Sequence, residues 1–428
     1  MPQLQLLPPV PPPIGLYVRP GWNDHLLVQQ LLVEGRAPTG LAFDARFGAR
    51  HRDLRERAVD LGLDTVLDTG AQELWSQGAR GLAGLSDLPW AWISDESEPG
   101  LRGEGGRRLA TLVADFVRDL GLAAVLAPSH FVRGPEDPLF ALDLHLVREL
   151  RNALDIRGLR HVRVYYPLTT AAAALSSSAS RARVRAELAN LDIDGIWLRL
   201  HPFGTTSSGP HSLRRYIDIC VDLQSLGVPL VAERSGTVGL GLLSLNVVGG
   251  IECGVTVGEG FDATRLLKAR PEEGSAFSSS GRVYFSVIDT FVSRKEGRAL
   301  FARRATKGAL GCRDATCCRH GPDDMVRDPR RHGLIQRIRE VDAIGSTPAH
   351  RRREAYLEHL INAGTLALRL AAAHPELSRA RQRIDSWRGT MSSIPLEALP
   401  QDAPPPAVGR RLNQSHRAPS LRPIREQR

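Results

Sequence analysis

The sequence predicts an α/β chain built as a (β/α)8 barrel of TIM type, with a smaller region after it. Eight short apolar runs recur up to about residue 270, and helical patterns with apolar residues three and four apart separate them. Strands alternating with helices imply right-handed βαβ units and a parallel sheet, and eight units in about 250 residues suit a closed barrel. The runner-up is an open, doubly wound sheet. It predicts a Gly-rich phosphate fingerprint after the first strand, and RPGWNDH holds no G-x-G-x-x-G.

Residues 1–13 precede the first run. Their PQLQLLPPVPPP lacks the amide donors that a helix interior or central strand requires, so an extended lead-in is expected. The barrel is placed at 14–272. Its strands are expected in IGLYVRPG (14–21), GLAFDAR (40–46), TVLDTG (65–70), AAVLAPSH (123–130), HVRVYYPL (161–168), GIWLRLHP (195–202), PLVAERSG (229–236) and GIECGVTVGE (250–259). Between them, RRLATLVADFVRDLG and LFALDLHLVRELRNAL are the clearest helices. A third region, 273–387, opens on a Ser/Gly-rich turn and a strand-like VYFSVIDTFV. It continues through a cysteine cluster and an Arg-rich stretch to one long helix over about 351–386. Residues 388–428 read as a disordered, basic, Pro-rich tail.

The chain has 428 residues, 42 % of them hydrophobic, and a formal net charge of +9. No apolar run approaches the roughly 18 residues of a membrane span, and no charged n-region leads into a signal sequence. The expected compartment is the cytoplasm. The positive charge suits an anionic partner such as nucleic acid.

In barrels of this type chemistry gathers at the C-terminal ends of the strands. Polar residues expected there are Asp44 and Arg46, Asp68 with Thr69 and Gln72, Ser129 and His130, Tyr165 and Tyr166, Arg199 and His201, Glu233 and Arg234, then Glu252 and Glu259. Converging carboxylates permit acid/base or nucleophilic work, and arginines beside them suit a phosphate or carboxylate group. Any one of these residues alone can equally be a salt bridge capping the barrel.

The stretch GCRDATCCRHG, 311–321, holds three of the five cysteines. In a reducing compartment, clustered thiols point to metal rather than to structural disulfides. Cys312, Cys317 and Cys318 are spaced C-x4-C-C, and a site would need a histidine from His320, His359 or His374. The competing reading is a loop with buried thiols. Cys220 and Cys253 fall in a helix and a strand pattern, as packing residues.

LDTGAQ at the end of the third strand and AYLEHLINAGTLALRLAAAH at 355–374, downstream of the cysteines, resemble the tRNA-guanine transglycosylase superfamily. That family has Asp-Ser-Gly-Gly-Phe-Gln at the first position and a helix opening like Ala-Tyr-Leu-His-His-Leu at the second. The resemblance implies a structural zinc held by Cys312, Cys317, Cys318 and His374. It implies base exchange on guanine or a modified purine in tRNA or DNA, with Asp68 and Glu252 as the catalytic pair. Thr69, Gln72, Asp44, Arg199, His201 and Arg234 are the expected substrate contacts. Three departures accompany it: the cysteine spacing, a glutamate where the family has its nucleophilic aspartate, and residues 319–354 as an insertion that loops out or docks a homodimer mate or protein partner. Two other readings stand beside it: a non-catalytic nucleic-acid-binding barrel, and a barrel enzyme for a small anionic metabolite, motivated by Arg46, Arg199, His201 and Arg234.

Overall fold

Eight parallel strands close on one another in the computed structural model, which describes residues 15–76, 84–204, 208–255, 260–264 and 281–400. They are β1 (Gly15–Arg19), β2 (Gly40–Asp44), β3 (Asp64–Asp68), β4 (Ala124–Leu126), β5 (Arg163–Ala171), β6 (Gly195–His201), β7 (Leu230–Glu233) and β8 (Gly250–Gly254). Each pairs with its sequence neighbours, and β8 pairs with β1, which closes the ring. The chain is a TIM-type barrel. The proline-rich lead-in and residues 401–428 of the expected tail lie outside the described residues.

Inside the ring, Tyr17, Ala42, Val66, Ala124, Leu126, Tyr165, Trp197 and Val231 form a core of their own. They point inward because side chains alternate along each strand. Trp197 packs against Tyr17 at 5.1 Å between ring centroids. Glycine makes room for these rings: a Cβ on Gly40 would lie 2.7 Å from the Tyr17 ring, and one on Gly195 would lie 2.8 Å from Tyr165. The lower end is closed by charge. Tyr17 donates to Asp64 at 2.6 Å, and Arg163 bridges Asp64 and the Tyr165 hydroxyl.

The outer layer comprises α1 (His25–Val33), α2 (Arg52–Asp60), α3 (Glu104–Leu120), α4 (Pro138–Ile156), α5 (Ser178–Leu188), α6 (Pro210–Gln224) and α7 (Val238–Ser244). Helix α3 buries Leu109, Ala110, Val113, Ala114 and Val117, a stripe three to four residues apart, and stops at Gly121 in the left-handed region at φ 65°. Helix α4 starts on Pro138, with Asp137 accepting the Leu139 amide as N-cap.

After β8 come a hairpin, Val283–Phe285 with Thr290–Val292, then α8 (Arg294–Phe301) and α9 (Arg304–Leu310). After a single helical turn at Asp324–Arg327 come three longer helices: α10 (Pro329–Ser346), α11 (Ala349–Ala371) and α12 (Ser378–Ser392). Helix α10 takes the eighth-helix position. Arg330 and Arg331 pair with Asp24 and Glu34 at the two ends of α1, and Arg337 donates to the Gly236 carbonyl just before α7.

Four expectations change here. VYFSVIDTFV is not one strand, because Asp289 at φ 45° turns it back on itself. The long helix over 351–386 breaks after Ala371, where Pro375 lacks the amide to continue it. Residues 388–400 are no loose tail, since Met391, Ile394 and Leu399 are buried. Residues 319–354 do not loop out; half of them are α10, and the rest include a short helix at Asp324–Arg327 and the start of the helix that opens at Ala349. Among the described residues no helix is long and apolar enough to cross a membrane.

Candidate active site and metal centre

Strand register brings the mouth together. Asp44 lies beside Asp68 across β2 and β3, and Glu233 beside Glu252 across β7 and β8. Four carboxylates on one rim would repel, and arginine settles this. Arg19, the last residue of β1, bonds Asp68, Glu233 (3.0 Å) and Glu252 (3.1 Å) at once. Arg199 from β6 pairs with Glu233 and donates to Gln72 at 2.6 Å. Glu252 also accepts the Arg234 amide at 3.2 Å, which the positive φ of 51° at Arg234 presents to it.

The chain after β3 is shaped for this mouth. Gly70 adopts φ 65°, which favours a residue without Cβ, and its amide donates to Asp68 at 3.0 Å. The short helix Ala71–Leu74 that follows carries Gln72 and Glu73. Burial alone would raise the Asp68 pKa; Arg19, then Arg199 and the Gly70 amide, hold it at about 2. Glu73 goes the other way, pushed up by burial and by the Asp68 charge. Glu233 stays low because Arg199 and Arg19 outweigh its burial. Carboxylates with pKa values pushed apart can divide ionic and proton-carrying roles.

The expected pair, Asp68 and Glu252, is thus joined through one guanidinium. Gln72 and Arg199 belong to the same network. Thr69 is buried beside it, its carbonyl accepting the Trp90 indole N–H at 3.0 Å. Arg234 contributes its amide. Two expected contacts are turned to other work: Asp44 pairs with Arg46, and His201 Nδ1 accepts the Ala263 amide at 2.9 Å. Glu259 lies outside the described residues. Sequence reasoning missed Arg19 altogether. Its position at the end of YVRPG, a barrel strand, was the available signal.

A second constellation lies in the region after β8. Cys312, Cys317, Cys318 and His332 bring one ligand atom each within 4.8 Å of one another. A tetrahedral zinc with bonds of about 2.3 Å to sulfur places two sulfurs roughly 3.8 Å apart. Cys317 and Cys318 Sγ are 3.9 Å apart, and His332 Nδ1 lies 3.4 Å from each. The other imidazole nitrogen, Nε2, donates to the Tyr284 carbonyl at 3.0 Å, which turns the Nδ1 lone pair toward the sulfurs. Hydrogen bonds with Cys317 and Cys318 pull the Cys312 thiol far down, and those with Cys312 and Cys317 push Cys318 up, so the three sulfurs titrate as one group. This donor set fits a metal.

The histidine differs from the expected one. His374 sits at the break between α11 and α12, against Thr306 Oγ1 at 2.9 Å, and is not in the cluster. His359 pairs with Asp289 at 3.0 Å instead, and His320 is likewise outside the cluster. His332 replaces all three because α10, taking its barrel position, carries its first turn past the cysteine loop. Adjacent Cys317 and Cys318 both face the site. Cys220 is buried in α6, as expected, and burial raises its thiol.

No family model matches this chain. No curated protein matches it either. Solved structures similar to it include an endo-1,4-beta-xylanase from Penicillium canescens at 8 % identity, covering 56 % of this chain and 82 % of that one, with a TM-score of 0.37. A beta-mannanase from Bacteroides ovatus is 12 % identical over 61 % and 85 % of the two chains, also with a TM-score of 0.37. For a phosphonomutase-like protein from Burkholderia cenocepacia the values are 14 %, 56 %, 86 % and 0.31.

Proposed function

We propose that this barrel exchanges a purine base in nucleic acid, tRNA or DNA, by a transglycosylase-type reaction on guanine or a modified purine. The observation that carries this reading is the shared contact of Arg19 with Asp68 and Glu252, two residues 184 positions apart that the expected chemistry requires at one mouth. In the reaction a Glu252 oxygen bonds to the sugar C1′ as the C1′–N bond breaks, and its electron pair leaves with the old base. The incoming base then attacks C1′ and releases the carboxylate. Glu73, pushed up by burial and the Asp68 charge, and Asp68, held down by Arg19, divide the proton and base-contact roles.

The charge balance of the mouth supports a neutral substrate group. Arg19, Arg199 and Arg234 face Asp68, Glu233 and Glu252, so the guanidinium charge that an anionic metabolite would need is already matched. A structural zinc on Cys312, Cys317, Cys318 and His332 pins the cysteine loop to α10 in this reading.

Incubation of the purified protein with labelled guanine and either tRNA or DNA tests it. Incorporation that disappears in Glu252→Gln and Asp68→Asn is expected. If neither nucleic acid takes up label, the exchange reading is wrong, and salt-dependent binding alone would leave a non-catalytic nucleic-acid-binding barrel.

A further inference from the structure

The mouth and the space beside it differ in size. The cavity among Asp68, Gln72, Glu73, Ser129 and Arg199 holds about 10 Å³, room for one water. Next to it, on the same face and sharing Gln72, a groove of about 1030 Å³ runs between the loops that follow β3, β4 and β5. That volume is at the upper end for small-molecule sites.

One wall of the groove is His130, 8 % exposed. Its orientation is over-determined. Nδ1 lies 2.6 Å from Asp143 Oδ1, and its amide donates to both Asp143 oxygens, at 3.1 and 3.0 Å. Asp143, wholly buried on α4, also accepts the Tyr166 hydroxyl at 3.3 Å. Trp75 lies flat on the imidazole, centroids 3.7 Å apart and planes 13° from parallel, and its own N–H is anchored on the Ile93 carbonyl. Since a carboxylate is the partner of Nδ1, that nitrogen carries the proton. Nε2 has no hydrogen-bond partner among the described residues. Holding an imidazole by a buried carboxylate commits one nitrogen so that the other can meet a ligand.

We propose that this groove binds a nucleobase, with His130 Nε2 hydrogen-bonding the edge of the base and Asp143 as the positioning residue. The choice of a nucleobase rests on the exchange reaction proposed above, while the groove and the oriented imidazole stand without it. Trp75 and Phe131 supply an aromatic wall suited to a flat ring. The charged lining sums to zero, Arg133 and Arg183 against Glu136 and Asp137: Arg183 pairs with Glu136, and Asp137 accepts the Arg133 backbone amide at 2.8 Å. A neutral ring is favoured over a free anion.

Calorimetric titration of the full-length protein with guanosine, and separately with a guanine-containing single-stranded oligonucleotide, tests this. Loss of the His130 contact in His130→Ala should weaken binding about tenfold. Ala179→Trp, which fills the groove from an exposed position and removes no buried contact, should do the same. Binding of guanosine identifies a free base or nucleoside as sufficient. Binding of the oligonucleotide alone, weakened by both variants, identifies a base presented by a strand. If neither probe binds, or if both variants bind like wild type, the groove assignment is wrong. Glu252→Gln should bind normally yet fail in exchange. Groove binding without incorporation in the wild type would sink the exchange reading and leave the groove standing.

Discussion

Replacing Arg19 by Met tests the electrostatic account of the mouth. The side chain is 11 % exposed and is shared by three carboxylates, of which Glu233 keeps Arg199 and Glu252 keeps the Arg234 amide when it is lost. Asp68 loses its ion pair and keeps the Gly70 amide and the more distant Arg199 charge. Its pKa stands at about 2 against an ordinary 3.8, with Arg19 the largest cause of the lowering, and the difference is worth roughly 2 kcal/mol at about 1.4 kcal/mol per unit. Stranding a buried charge adds to this, so Arg19→Met should cost about 3 kcal/mol near neutral pH. The pH dependence follows from the direction of the shift. A depressed carboxylate stabilises the wild type above its unfolded pKa, and this contribution is lost as pH falls toward about 2. In the variant Asp68 is relieved by taking up a proton at higher pH, so the penalty should shrink as the buffer is taken from about pH 7 to about pH 4.5. Urea unfolding followed by tryptophan fluorescence measures both. A cost under about 1 kcal/mol at neutral pH, or an equal cost at both pH values, would refute the account.

Two further outcomes are expected. Purified protein should hold about one zinc per chain by elemental analysis, lost in Cys312→Ser and His332→Ala but retained in His374→Ala; equal retention in all three would remove the cluster as a metal site. Glu340 is pushed up to about 7 by burial and by Asp289, against Arg337 and the Tyr284 hydroxyl. A raised acid lowers stability as pH rises from its unfolded value to about 7, so Glu340→Gln should gain about 1–3 kcal/mol near pH 8 and almost nothing near pH 5. A thermal melt showing the gain at pH 5, or at neither pH, contradicts that direction.

The barrel was legible because its signals are short-range. The short apolar run in GLAFD and the stripe through RRLATLVADFVRDL declare strand and helix within a dozen residues, and the chain direction orders the units. The mouth was partly legible for the same reason: a polar residue ending a barrel strand faces the C-terminal rim wherever it occurs, which placed Asp68, Arg199 and Glu252. Partner choice was not. Arg19 reaches carboxylates 49, 214 and 233 residues away, and no local pattern records which of several rim charges will share one guanidinium.

The cysteine loop shows the same division. Three thiols within seven residues determine by themselves that a soft, charged cluster forms there. The fourth member was decided by packing. His332 faces the loop because α10, held by Arg330 and Arg331 against α1, passes beside it; His374 ends on Thr306 because Pro375 breaks the chain there. His130 was visible as a strand-end residue, yet its burial against Asp143 and Trp75 depends on α4 and the loop after β3 meeting in space. Sequence determined which groups were available and where each lay along its own element. Tertiary structure decided which of them met, because hydrogen bonds and ion pairs depend on distances of a few ångströms that only the packed helices and closed sheet establish.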